Sequence, residues 1–165
     1  MKPLEMLSLA IARIKEPRLF ATERGYQGML VAEIDKLIEA EPNSIERPVV
    51  EQEYQKTADR HGITLWPDIV VHVPFERGVS PTRRHDNHLV ILLKLRATKS
   101  KANEDFKNLE IICSTLDYPC GAFVNVASSN LFLPSYTRES NKNFTLYEVA
   151  VCLHGAGLKL LTSSH

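Results

Sequence analysis

Apolar positions along the chain change their period several times, and each change predicts an element. Leu4, Leu7, Ile11 and Ile14 recur at helical spacing, and Pro17 closes that run. Phe20, Tyr26, Leu30, Ile34, Leu37 and Ile38 supply the apolar face of a second helix from Phe20 to Ala40, with Pro42 beyond its end. Gly25 and Gly28 weaken that helix locally or mark close packing. Pro48 to Tyr54 reads as a first, partly polar strand. Leu65–Val73 and His88–Arg96 are short runs rich in β-branched and aliphatic residues, which predicts a central pair of strands joined by a loop from Arg77 to Asn87. Ser100 to Asp117 returns to helical spacing, with Phe106, Leu109, Ile112, Cys113 and Leu116 as its core stripe. Asn103 is its expected cap, and Glu104 and Asp105 suit its positive end. Gly121–Val126 reads as a buried strand and Ser128–Asn143 as a polar loop. Phe144 to Leu153 and Leu158 to Leu161 form a hairpin about Gly155, with Thr162 to His165 frayed beyond it.

This order predicts an α/β protein: a mixed central β-sheet flanked by helices, with a right-handed crossover carried by the third helix. Residues 1–165 are expected to form a single domain, with a helical segment over 1–45 and a C-terminal β-hairpin over 144–161.

Two charges interrupt the central strands, Asp68 in the first and Lys94 in the second. A buried charge costs several kcal/mol unless it is paired. Either both side chains reach solvent at strand ends, or they face each other in one site. The net charge of the chain is zero, so no global basic character points to nucleic acid. The charges are unevenly spread, however. Glu33 to Glu53 is acidic, whereas Arg77, Arg83, Arg84, Lys94, Arg96, Lys99 and Lys101 make a basic stretch. Such a stretch is either a phosphate-binding edge or a solvated loop. The three cysteines, Cys113, Cys120 and Cys152, have no CxxC spacing and read as free thiols among apolar neighbours. Trp66 reads as core filling. Glu23 and Glu33, each taken alone, read as solvated helix surface, and His85 and His88 as loop residues facing water. With neither a membrane-length apolar run nor a secretion signal, the expected location is cytoplasmic.

Pro67-Asp68, followed later by Leu92-Leu93-Lys94, resembles the PD-(D/E)xK superfamily of nucleases, the restriction-endonuclease-like fold. Glu53-Tyr54, Pro67 to His72, Asn87 to Lys94, Asp105 to Leu109 and Tyr118 to Phe123 follow the order of motifs in small bacterial members of that family. The family core is helix, three strands, helix, strand, which is the order of Phe20 through Val126. The resemblance implies a metal-dependent phosphodiester hydrolase acting on nucleic acid, DNA first. Its cofactor would be Mg²⁺ or Mn²⁺ held by oxygen ligands, with Lys94 orienting the nucleophile. Nucleases of this size often act as homodimers.

The sequence departs from the family at its centre, because Leu92 stands where the second catalytic carboxylate belongs. Positions 92 and 94 share one face of a strand, and leucine offers no oxygen. The expected catalytic set is then Asp68, Lys94 and Glu53, with Glu33 or Glu23 next in line for the missing carboxylate. The expected metal ligands are Asp68, Glu53 and the main-chain carbonyl of Leu93. Arg83, Arg84, Arg96, Lys99 and Lys101 are the expected nucleic-acid contacts. The alternative is a fold that has lost catalysis and serves nucleic-acid or protein binding.

Overall fold

The computed structural model describes residues 1–41, 48–52, 64–74, 86–155 and 157–165. Among the described residues six strands form one mixed sheet, in the order in which they occur along the chain. They are β1 (Val49–Gln52), β2 (Ile69–His72), β3 (Asn87–Leu95), β4 (Cys120–Val126), β5 (Thr145–His154) and β6 (Gly157–Ser164). The pairs β1–β2, β2–β3 and β5–β6 are antiparallel, and β3–β4 and β4–β5 are parallel. A parallel neighbour needs a crossover. Between β3 and β4 it is α3 (Lys99–Leu116), and between β4 and β5 it is the stretch around the 3-10 turn Leu133–Ser135. The mixed α/β architecture is therefore as the periodicities predict, and the central strand pair is antiparallel with the third helix packed on it.

Side chains alternate across the sheet and separate two apolar layers. Ile69, Val71, Leu89, Ile91, Leu93, Ala122, Val124 and Val126 face α1 (Pro3–Arg13) and α2 (Glu23–Glu39). Val70, Val90, Leu92, Phe123 and Leu146 face α3. Helix α3 lies close on β4. A Cβ added at Gly121 would stand 2.8 Å from Cys113 Sγ, so only glycine admits the helix at this depth.

Several sequence expectations need correction. The second helix does not start at Phe20. Pro17–Ala21 is a separate 3-10 turn, and Thr22 then caps α2 by accepting the Gly25 N–H. The cap of α3 is Thr98, whose hydroxyl accepts the Lys101 N–H, and Asn103 lies inside the helix. The C-terminus is not frayed, and the hairpin runs past Leu161. The main chains of His165 and Leu146 exchange two hydrogen bonds of 3.0 Å, which holds the last residues in the sheet. Trp66 is 57% exposed and fills no core. Glu33 is buried rather than solvated, because Lys36 at 2.6 Å and Arg13 at 3.7 Å compensate its charge. All three thiols are free, with Cys113 buried and Cys120 and Cys152 half-buried. None of the helices among the described residues is long and apolar enough to cross a membrane.

Glu148 on β5 anchors the β4–β5 connection. It is fully buried, and its Oε2 accepts the N–H groups of Phe132 at 2.8 Å and Leu133 at 2.7 Å. Burial pushes its carboxyl up, while those two donors pull it down. Glu148→Ala would leave both donors without this acceptor. It is expected to cost about 2–4 kcal/mol in urea unfolding, more than Glu148→Gln, which retains an acceptor oxygen. Equal losses for the two variants would show that the hydrogen bonds are not what Glu148 contributes.

Candidate active site

The candidate chemistry gathers where the end of β3 meets the residues leading into β2. The β2–β3 register pairs Ile69 with Ile91, and continued by one step it sets Asp68 beside Leu92. Asp68 shares the parity of Val70, and Lys94 that of Leu92, so both belong to the sheet face covered by α3. Asp68 and Lys94, separated by a loop in sequence, thus come to one face of adjacent strands. The Asp68 side chain turns toward the main chain, and its Oδ2 accepts the Leu93 N–H at 2.6 Å.

Helix α2 braces this corner with residues one turn apart. Gln27, itself buried, donates from Nε2 to the Asp68 carbonyl at 2.9 Å. Glu23 accepts the Leu95 N–H at 3.1 Å through Oε2, and its Oε1 lies 3.7 Å from Lys94 Nζ. Both members of that ion pair are substantially exposed, so it orients the lysine more than it stabilises the fold. Glu23 is therefore not plain helix surface.

Asp105 is not among the expected site residues, because its charge suits the helix N-terminus and the Asp105 to Leu109 resemblance carries no role for it. It falls on the buried stripe of α3 with Ala102, Phe106, Leu109 and Ile112, and is only 7% exposed. Its Oδ2 is buried without a hydrogen-bond partner. Burial pushes its carboxyl up to about 6. The Lys94 ammonium opposes that rise, and the carboxylates of Asp68, Glu104 and Glu23 add to it. The available signal was periodicity, since Asp105 stands four residues before Leu109, on the apolar stripe itself.

Leu92 is 5% exposed and packs in the apolar layer under α3. Leu93 has a fully buried side chain on the opposite face, and its residue pairs with Val124 of β4. Glu53, Arg77, Arg83, Arg84 and His85 lie outside the described residues. Arg96, Lys99 and Lys101 are exposed at the turn from β3 into α3. Asn125 fixes that turn, its Oδ1 accepting the Ala97 N–H at 2.9 Å, while Arg96 adopts a left-handed φ of 52° and donates its N–H to the Val126 carbonyl.

Among the described residues no group of three His, Cys, Asp or Glu side chains is set to hold a metal ion. Mg²⁺ requires less than such a trio, as it keeps several waters and is commonly held through one or two carboxylates. The unpartnered Asp105 Oδ2 is the donor in this corner that fits that role. The chain matches no protein-family model, no curated protein and no solved structure.

Proposed function

We propose that the protein is a metal-dependent phosphodiester hydrolase, a nuclease of the PD-(D/E)xK kind, in which Asp105 replaces the carboxylate missing at Leu92. The carrying observation is Asp105 itself: a buried carboxylate with an unpartnered oxygen, placed where the charges of Lys94, Asp68 and Glu23 act on it. Such a group is costly to a fold and is commonly kept for function. The topology supports the same reading. An antiparallel β1–β2–β3 meander is followed by a helix and a parallel β4, which is the helix, three strands, helix, strand order of that superfamily.

In this reading Asp105 and Asp68 would hold Mg²⁺ or Mn²⁺, and the ion would supply an acidified water and offset phosphate charge. Lys94 orients the nucleophile, Glu23 positions Lys94, and Gln27 fixes the backbone of Asp68. The test is cleavage of DNA by purified protein with either ion. Asp68→Asn and Lys94→Ala should each abolish it without unfolding the chain. No cleavage by wild type above a mock purification would leave the second reading, a catalytically inactive module for nucleic-acid or protein binding. That reading draws on the buried Leu92 and on the engagement of Asp68 Oδ2 by the main chain.

Nucleic acid would approach along Arg96, Lys99 and Lys101. The first turn of α3 carries no acidic residue, so Lys99 and Lys101 sit at the positive end of an 18-residue helix. Cations there are unfavourable by roughly 0.3–1 kcal/mol each. Reversing both to glutamate should weaken DNA binding and flatten its dependence on salt while leaving the melting temperature equal or higher. Unchanged binding by the doubly reversed protein would remove this edge as a contact surface.

A further inference from the structure

The last strand of the sheet carries an unused set of hydrogen-bonding groups. His165 and Leu146 exchange both main-chain hydrogen bonds, so the pairs 148–163, 150–161, 152–159 and 154–157 repeat that close pairing along the hairpin. The N–H and C=O groups of Leu158, Leu160, Thr162 and Ser164 then point away from β5, toward the open edge. No hydrogen bond of the described residues satisfies them. The strand is eight residues long, contains no proline, and has Lys159 as its one charge. Leu158, Leu160 and Leu161 are half-buried, on both faces of the sheet. Edges of this length are normally shortened, bulged, charged or covered. At the opposite edge, β1 spans four of the described residues.

We propose that β6 is the seam of a two-fold homodimer, in which it pairs antiparallel with β6 of a second copy and joins the two sheets into one. The occupant follows from the strand's fit to itself. One antiparallel register pairs all four outward residues, with Leu158 opposite the second copy's Ser164 and Leu160 opposite its Thr162. That register sets Leu161 against its own equivalent on the two-fold axis. Lys159 faces Ser163, and the two lysines stand four residue steps apart, about 13 Å, so like charges do not meet. An isologous contact of this kind is closed and does not propagate into a fibre. The proposal does not rest on the nuclease reading.

Sedimentation velocity on the wild-type chain at about 100 µM should give a dimer. Leu161→Lys and Leu161→Glu should each give monomers by placing like charges on the axis, and their equimolar mixture should dimerise again. Leu160→Pro removes an outward N–H without touching the bonds to β5, and should also weaken the dimer. Amide exchange on wild type serves as a test without substitution. The N–H groups of Leu158, Leu160 and Thr162 should be protected at high concentration and exchange freely on dilution. A monomeric wild type, a dimer undisturbed by all three substitutions, a mixture that stays monomeric, or exchange at those amides that ignores concentration would each overturn the proposal.

Discussion

Asp105→Asn is expected to abolish metal-dependent cleavage and, at pH 8, to make the fold more stable by about 2 kcal/mol. The two effects have one origin. Burial pushes the Asp105 carboxyl up to about 6 even though Lys94 opposes the rise. A carboxyl raised on folding stabilises the folded state while protonated. That contribution is full below its ordinary value near 4 and is lost as the pH rises through about 6. Asparagine stays neutral throughout. The variant should therefore gain on wild type as the pH is raised from 4 to 8, and differ little from it at pH 4. Cleavage should fall by about 100-fold or more, since the amide replaces an anionic ligand. Thermal melts across that pH range and a plasmid-nicking assay read the two effects separately. A stability gain with undiminished cleavage would make Asp105 a strained core residue with no part in catalysis. A loss of stability at pH 8 would show that a partner compensates its charge.

The second large effect concerns Leu92. Leu92→Glu removes a leucine from the layer under α3 and adds a carboxylate beside Asp68 and near Lys94. At pH 8 the single substitution should cost about 3 kcal/mol. Combined with Asp105→Asn, the number of carboxylates around Lys94 returns to its original value. The double variant should then be more stable than the sum of the single effects by about 1 kcal/mol or more. It should also recover cleavage lost in Asp105→Asn, to within about tenfold of wild type. A folded double variant without activity, beside an active wild type, would mean that positions 92 and 105 are not interchangeable supports for one metal site.

The sheet was legible in the sequence because its strands are apolar runs too short for helices of their own, although the first central strand occupies only residues 69–72 of the expected 65–73. Helix ends were less legible. Thr22 and Thr98 are the caps because each sits in extended backbone just before its helix, which pattern alone does not reveal. Asp68 and Lys94 could be brought together from strand parity and register. Glu23 was one of several carboxylates open to the role, and what selects it, like what brings Asp105 near, is where two helices cross the sheet, which no local pattern encodes. Gln27 was hidden for a similar reason. Its amide reaches a main-chain carbonyl 41 positions away, and a main-chain partner leaves no trace in the residue types.

The six strands lie in the sheet in the order in which a ribosome makes them. Each new strand can add beside the one synthesised just before it, so none must later be threaded between two that have already paired. Helices α1 and α2 pack on each other, but the sheet they cover is made after them. Their apolar stripes rest on Ala122, Val124, Val126, Val149 and Val151 as well as on the earlier strands. Those stripes stay without their complete bed until β5 has been translated. During that interval the nascent chain carries a hydrophobic surface in need of shelter, and it is the late C-terminal strands that finish burying the first helices made.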